Sequence, residues 1–213
     1  MSDPIRKAAS VVAVRASLGG PEVLVVERGA GARFLPGYVA FPGGAADERD
    51  AGFAARWFGD PSEAARACAV RELLEEVGLA LTGDGLRAAD GDGFSTVERV
   101  PPERGQLSEI AHWIAPPDVP VRFDARFFAV RAPEALVPRP DRAEVGGAWW
   151  MTPRALLDEW RDGARRLYWP TYFTVNALAT CRTVDELCGL RIRTREPDEG
   201  ELARLPRSVF WQD

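Results

Sequence analysis

The 213-residue sequence is poor in several residue types that carry common chemistry. It has one histidine, His112, which excludes histidine-rich zinc sites and any mechanism that needs two imidazoles. Its three cysteines, Cys68, Cys181 and Cys188, are odd in number and form no Cys-x-x-Cys pair, so neither a disulfide framework nor a zinc ribbon is expected. Lysine is nearly absent: Lys7 stands alone among 27 basic residues, and the rest are arginine. The skew reads first as a coding bias, although arginine is also the better fork for phosphate oxygens. No run approaches the roughly 18 apolar residues of a membrane span. Met1 to Ser10 lacks the apolar stretch of a secretory signal. A cytoplasmic protein without a membrane partner is therefore expected. The 32 acidic residues leave a formal net charge of −5, which disfavours nucleic acid as a partner.

What is present describes an ordinary globular chain, 46% apolar and 28% charged. At this length it can bury roughly two thirds or more of its unfolded surface, so neither disulfides nor a structural metal are needed to fold. Val-rich runs at Ala8–Ala16 and Glu22–Glu27, split by a Gly-Gly-Pro turn, read as strand, turn, strand. Gly37–Phe41 is a short apolar piece ended by Pro42-Gly43-Gly44. Asp47–Phe58 reads as a short helix. Asp60-Pro61-Ser62-Glu63 is a helix start, and Gly78 is the matching stop. Gly83–Gly105, rich in Gly, Asp and Pro, reads as a long surface loop with room for one short strand. Strands are expected at Ala111–Ile114, Phe123–Arg131 and Ala148–Met151. Helices are expected after Thr152-Pro153 and, twice, within Pro170–Leu190, the second beginning at Thr183. The last twenty or so residues are polar and read as a segment that wraps the domain or frays. This interspersion predicts an α/β or α+β domain with helices on both faces of a sheet.

The informative segment is Arg71-Glu72-Leu73-Leu74-Glu75-Glu76-Val77-Gly78-Leu79. On a helix Glu72, Glu75 and Glu76 fall within an arc of about 100°, opposite a stripe of Ala67, Val70, Leu74 and Val77. Three carboxylates so placed repel one another, by a few tenths of a kcal/mol per pair. A divalent cation removes that penalty, and all-carboxylate ligation suits Mg²⁺ or Mn²⁺. A solvated acidic face is the plainer alternative. The surroundings favour the metal reading, because Glu63 precedes Arg71 by a seven-residue gap and Gly44 lies upstream.

This order resembles the box of the Nudix hydrolase family: Gly, five residues, Glu, seven residues, Arg-Glu, an aliphatic, any residue, Glu-Glu, any residue, Gly, an aliphatic. Glu63 to Leu79 match every fixed position. The departure is at the front, where 18 residues, 45–62, separate Gly44 from Glu63; the excess reads as a helical insertion. The resemblance implies a single α/β (α+β) domain over 1–213, an α/β/α sandwich with a mixed sheet, and a C-terminal helical extension, 162–213, packed on it. It implies a hydrolase that cleaves a diphosphate bond in a nucleoside diphosphate derivative. Glu72, Glu75 and Glu76 would hold Mg²⁺ or Mn²⁺, with the Gly43 carbonyl as a further ligand and Arg71 bracing the cluster. Glu63 reads as a capping residue or as a secondary orienting acid. For the general base the candidates are a helix glutamate or an acid before a later strand, Asp141 or Glu144, of which Glu144 is preferred.

The upstream residues are similar to the motif of the coenzyme A diphosphatases within that family. Leu24, Val25, Arg28, Arg33, Gly37 and Phe41-Pro42-Gly43-Gly44 fall at matching positions, while Val26 and Gly29 depart from it. Coenzyme A carries a 3′-phosphate beside its diphosphate, so Arg28 and Arg33 are candidate forks. Phe41, Gly44 and Phe127 are further candidate substrate contacts, with Phe127 and Phe128 sharing one strand so that one of them belongs to the core. Coenzyme A or an acyl-coenzyme A is thus the expected small-molecule partner, giving 3′,5′-ADP and 4′-phosphopantetheine. ADP-ribose, NADH or a nucleoside triphosphate remain alternatives, as does a non-catalytic binding module, and a homodimer is left open. His112 reads as structural, Cys68 as a buried filler, the Asp-Gly pairs near Asp84 and Asp90 as turns, and Trp149-Trp150 as packing with one ring available to stack.

Overall fold

Alternation along the strands decides the layering. The computed structural model describes residues 5–115 and 122–192. In β1 (Arg6–Arg15), Ala9, Val11 and Ala13 face one core while Val12 and Val14 face a second. β2 (Glu22–Arg28) divides in the same way, Leu24 and Val26 against Val23 and Val25. Strands apolar on both faces need cover on both, as in sheets buried between helices. The first face is covered by α1 (Arg49–Phe58), α2 (Ala64–Val77), α3 (Gly93–Arg99) and the hairpin β5 (Leu79–Thr82) and β6 (Gly85–Ala88). The second face is covered by α4 (Pro153–Arg161), α5 (Trp169–Leu178) and α6 (Val184–Gly189). The result is an α/β/α sandwich.

Among the described residues eight strands form the central mixed sheet. β1 runs parallel to β8 (Phe123–Arg131), from Arg6 opposite Phe123 to Val14 opposite Arg131, and β7 (Ser108–Ile114) pairs with β8. On its other edge β1 meets β2 only at Val14 opposite Val23 and Arg15 opposite Glu22. The two strands then diverge, and a fork opens between them. β3 (Tyr38–Ala40) takes the free edge of β2, and β4 (Gly43–Ala45) takes that of β1. β9 (Val145–Met151) closes the far edge of β2, and β10 (Arg166–Leu167) extends β3. Candidate site residues gather where β3 and β4 fill the fork.

Helix starts and stops follow the sequence closely. The Asp60 carboxylate accepts from the Ser62 amide at 2.9 Å in a short 3-10 turn, Pro61–Glu63, that leads into α2. Gly78 ends α2 at φ 63°, a left-handed conformation that glycine adopts without Cβ strain. Thr152 caps α4 through the Ala155 amide, and Thr183 caps α6 through the Glu186 amide.

Two expectations change. Gly83–Gly105 is not a plain loop: it contains β6 and α3, and the Asp92 carboxylate caps α3 through the Phe94 amide. Only Phe94 and Val97 carry the apolar face of α3, too few to stand out among Gly and Asp. Glu63 does not reach back to cap its turn. Its carboxylate pairs with Arg66 and, at 3.0 Å, with Arg104. Residues 193–213, the tail expected to wrap or fray, and Val121 before β8 lie outside the described residues. No described helix is long and apolar enough to cross a membrane.

Candidate active site

The acidic helix is more deeply enclosed than its pattern implies. α2 lies between the sheet and α1, so that Arg71 and Glu76 are buried and Glu72 is 13% exposed at its side chain. Burial drives the Glu76 carboxyl up to about 8, because desolvation opposes its charge and the neighbouring Glu72 adds to the effect. The Gly43 amide, donating to Glu76 Oε2 at 2.9 Å, and the Arg28 charge pull the other way. Glu72 is raised by the same desolvation, partly offset by Arg71.

Arg71 is the hub of the cluster. Its Nη1 donates to Glu72 Oε1 at 2.7 Å and to Glu75 Oε2 at 2.8 Å. Its Nε donates to Asp50 Oδ1 at 2.8 Å, and Nη2 donates to Asp50 Oδ2 at 3.2 Å and to the Ala45 carbonyl at 3.1 Å. Asp50 is fully buried on the first turn of α1. Sequence reasoning missed it, because nothing local marks one aspartate of a short helix as the partner of an arginine 21 positions on. Cys68 is a buried filler as expected, its thiol facing the Gly44 carbonyl at 3.7 Å.

The two glycines are dictated by crowding. A Cβ on Gly44 would lie 2.5 Å from Glu72 Oε1, and one on Gly43 would lie 2.4 Å from Ser10 Oγ. Gly43, expected to offer its carbonyl, thus meets the cluster through its N–H. Gly29 has a similar reason: a Cβ there would lie 2.8 Å from the Glu144 carbonyl, which accepts from the Gly29 amide. This contact accounts for glycine at a position where the motif usually has serine or alanine.

Glu144 is brought in by its loop. The Arg139 amide donates to the Val77 carbonyl and the Asp141 amide to the Glu76 carbonyl, which pins the loop to the end of α2. The exposed Glu144 carboxylate stands close enough to raise both Glu72 and Glu76. The Asp141 carboxylate is instead engaged by the Ala143 amide at 2.9 Å, inside a turn.

A cleft of about 240 Å³ opens from these glycines. Gly43, Gly44 and Arg28 line one end, and the rest is largely aromatic: Phe34, Tyr38, Trp113, Phe123, Phe127, Tyr168 and Trp169. Arg28 Nε donates to the Phe34 carbonyl at 2.8 Å, which fixes the guanidinium at the junction. Arg33 is exposed on the same loop. Phe127 lines the cleft and Phe128 belongs to the opposite core, which settles that pair. Phe41 is 2% exposed and sits edge-on to Phe127, with ring centroids 6.1 Å apart, in the core directly behind the cleft wall. Tyr168 and Trp169 belong to the C-terminal segment, which therefore contributes a strand and part of the cleft wall. Neither tryptophan of β9 lines the cleft; Arg165 lies over Trp149 and Arg15 over Trp150. His112 pairs with Asp124 at 2.5 Å across β7 and β8.

Among the described residues no three acidic, cysteine or histidine side chains already converge as a finished metal cage. Glu72 and Glu75 are drawn to Arg71, and Glu76 to the Gly43 amide. The donor set still fits a hard divalent cation: three carboxylates on one helix, two of them with raised proton affinity, held in a cradle that a single methyl at Gly44 would fill.

A family model described as NUDIX domain matches residues 4–169, most of the chain. The chain belongs to the Nudix family. It is similar to a NUDIX hydrolase from Alicyclobacillus acidocaldarius of known crystal structure, with 34% identity, a TM-score of 0.78, and a match covering 91% of this chain and 100% of that one. It is also 27% identical over 180 residues to a Caenorhabditis elegans protein described as "Putative nudix hydrolase 7". That match covers 78% of this chain, which spans only 58% of the length of that relative.

Proposed function

We propose that this Nudix protein is a Mg²⁺- or Mn²⁺-dependent hydrolase that cleaves the diphosphate of coenzyme A or an acyl-coenzyme A, giving 3′,5′-ADP and 4′-phosphopantetheine. The observation that carries the reading is the junction at Gly43 and Gly44, which touch the acidic cluster and also line the aromatic cleft. A substrate with a diphosphate at one end and an extended, largely apolar arm at the other fits that junction.

Glu72, Glu75 and Glu76 would hold the cation. When bound it would neutralise the diphosphate and activate water towards phosphorus. Arg71 orients Glu72 and Glu75 through one nitrogen, Nη1. Glu144, whose carboxylate lies beside the cluster, would take the proton from the attacking water. Arg28 can present its remaining N–H groups to a phosphate oxygen near Glu76, and Arg33 is the candidate for the outlying 3′-phosphate. The aromatic residues exclude water from the cleft and hold the pantetheine arm.

The test is a panel of coenzyme A, acetyl-coenzyme A, ADP-ribose, NADH and a nucleoside triphosphate, each with Mg²⁺ and with Mn²⁺. Cleavage of the coenzyme A substrates above the others supports the specificity. Cleavage of ADP-ribose without coenzyme A would keep the metal chemistry and overturn the substrate. No cation-dependent cleavage of any of the five would leave a binding module.

A further inference from the structure

The helix α1 lies in the stretch that separates Gly44 from the rest of the acidic motif, and it carries one fully buried carboxylate, Asp50. Both oxygens of Asp50 are fixed. Oδ1 accepts from Arg71 Nε at 2.8 Å; Oδ2 accepts from Arg71 Nη2 at 3.2 Å and from the Asp47 amide at 2.7 Å. The helix that carries it is tied to α3 by stacking of Phe53 on Phe94, at 5.4 Å.

We propose that Asp50 is a positioning residue for the cation site: it takes up the charge of Arg71 and holds its guanidinium edge-on, so that Glu72 and Glu75 are aligned by Arg71 without being neutralised by it. This rests on the metal reading given above.

Charge and geometry both lead here. A guanidinium has five N–H donors in a rigid fork. In this structure every nitrogen has an acceptor, and only Nη1 reaches the glutamates. Asp50 and Arg71 together carry no net charge, so Arg71 leaves the charge of Glu72 and Glu75 available to a divalent cation, with the exposed Arg49 standing 4.0 Å from Glu75. Without Asp50 the arginine would carry an uncompensated positive charge beside the cation and would draw closer to Glu72 and Glu75. Both effects oppose cation binding.

The experiment measures Mn²⁺ affinity of the folded full-length protein by calorimetry and by the Mn²⁺ magnetic resonance signal, with no substrate present. Asp50→Asn should weaken Mn²⁺ binding on the order of tenfold or more, as expected for an uncompensated unit charge near a divalent ion. Asp50→Glu, which restores the charge one methylene further out, should recover part of the affinity and serves if the asparagine variant does not fold. Turnover at saturating Mn²⁺ should fall much less than the affinity. A purely structural role for Asp50 would lower thermal stability and leave the Mn²⁺ affinity of the folded variants unchanged, and that result overturns the proposal. Failure of the unaltered protein to bind Mn²⁺ would instead overturn the metal reading itself.

Discussion

At one end of the cleft, Glu72, Glu75 and Glu76 come from five consecutive residues of a single helix. At the other, Phe34, Trp113, Phe127, Tyr168 and Trp169 come from four separate stretches of chain. The acidic end is held by charged hydrogen bonds between 2.7 and 3.2 Å, with direction and little tolerance. The aromatic end is held by ring contacts such as Phe34 edge-on to Tyr168 at 5.5 Å and Trp113 edge-on to Trp169 at 5.3 Å. These are broad minima that accept changes of ring with modest loss. On the function proposed above, the chemical step would fall to the rigid acidic end and the choice of substrate to the adaptable aromatic end.

The largest effect should come from the acidic end. Glu75→Gln should lower kcat by at least about 100-fold, more than loss of a supporting group around a metal ligand, with an unchanged circular dichroism spectrum. Unchanged turnover would break the assignment of chemistry to that end. Next is a pH effect on the metal-free protein. The folded protein holds the Glu76 proton up to about 8, whereas the unfolded chain releases it near 4.5. Stability from this group is therefore full below about 4.5 and is lost as pH rises towards 8. The melting temperature should fall across that window by on the order of 5 °C, and saturating Mn²⁺ at pH 8 should restore it. A melting temperature that rises through the window would contradict the burial argument.

Phe34→Ala tests the other end. It should raise KM about fivefold and leave kcat within about twofold, since an aromatic contact contributes about 1 kcal/mol. An equal loss in kcat would erase the division of labour. The smallest effect is at Arg33: Arg33→Ala should raise KM for coenzyme A about threefold and leave 3′-dephospho-coenzyme A unchanged. Equal losses on both would remove its phosphate role.

The residues of the acidic helix are legible in the sequence because a helix places i, i+3 and i+4 together by local geometry alone. The caps at Asp60, Thr152 and Thr183 are legible for the same reason: each acts within three residues of itself. Glu63 shows the limit of that logic. Its spacing suits a cap, yet Arg66 and the distant Arg104 compete for the carboxylate and win it. Phe41 shows another. Its motif position suggests contact with substrate, and in the fold its ring packs in the core against Phe127.

The sequence by itself determined the acidic triplet, the helix that displays it, the glycines before it and the alternation that makes a two-faced sheet. Each depends on spacing within one element. Only the tertiary structure decided that Asp50 closes on Arg71, that Gly29 holds Glu144 beside α2, and that Tyr168 and Trp169 return to complete the cleft. Those contacts join residues far apart in the chain. They meet where β1 and β2 diverge, and among the described residues that fork brings glycine backbones, buried carboxylates and aromatic rings together.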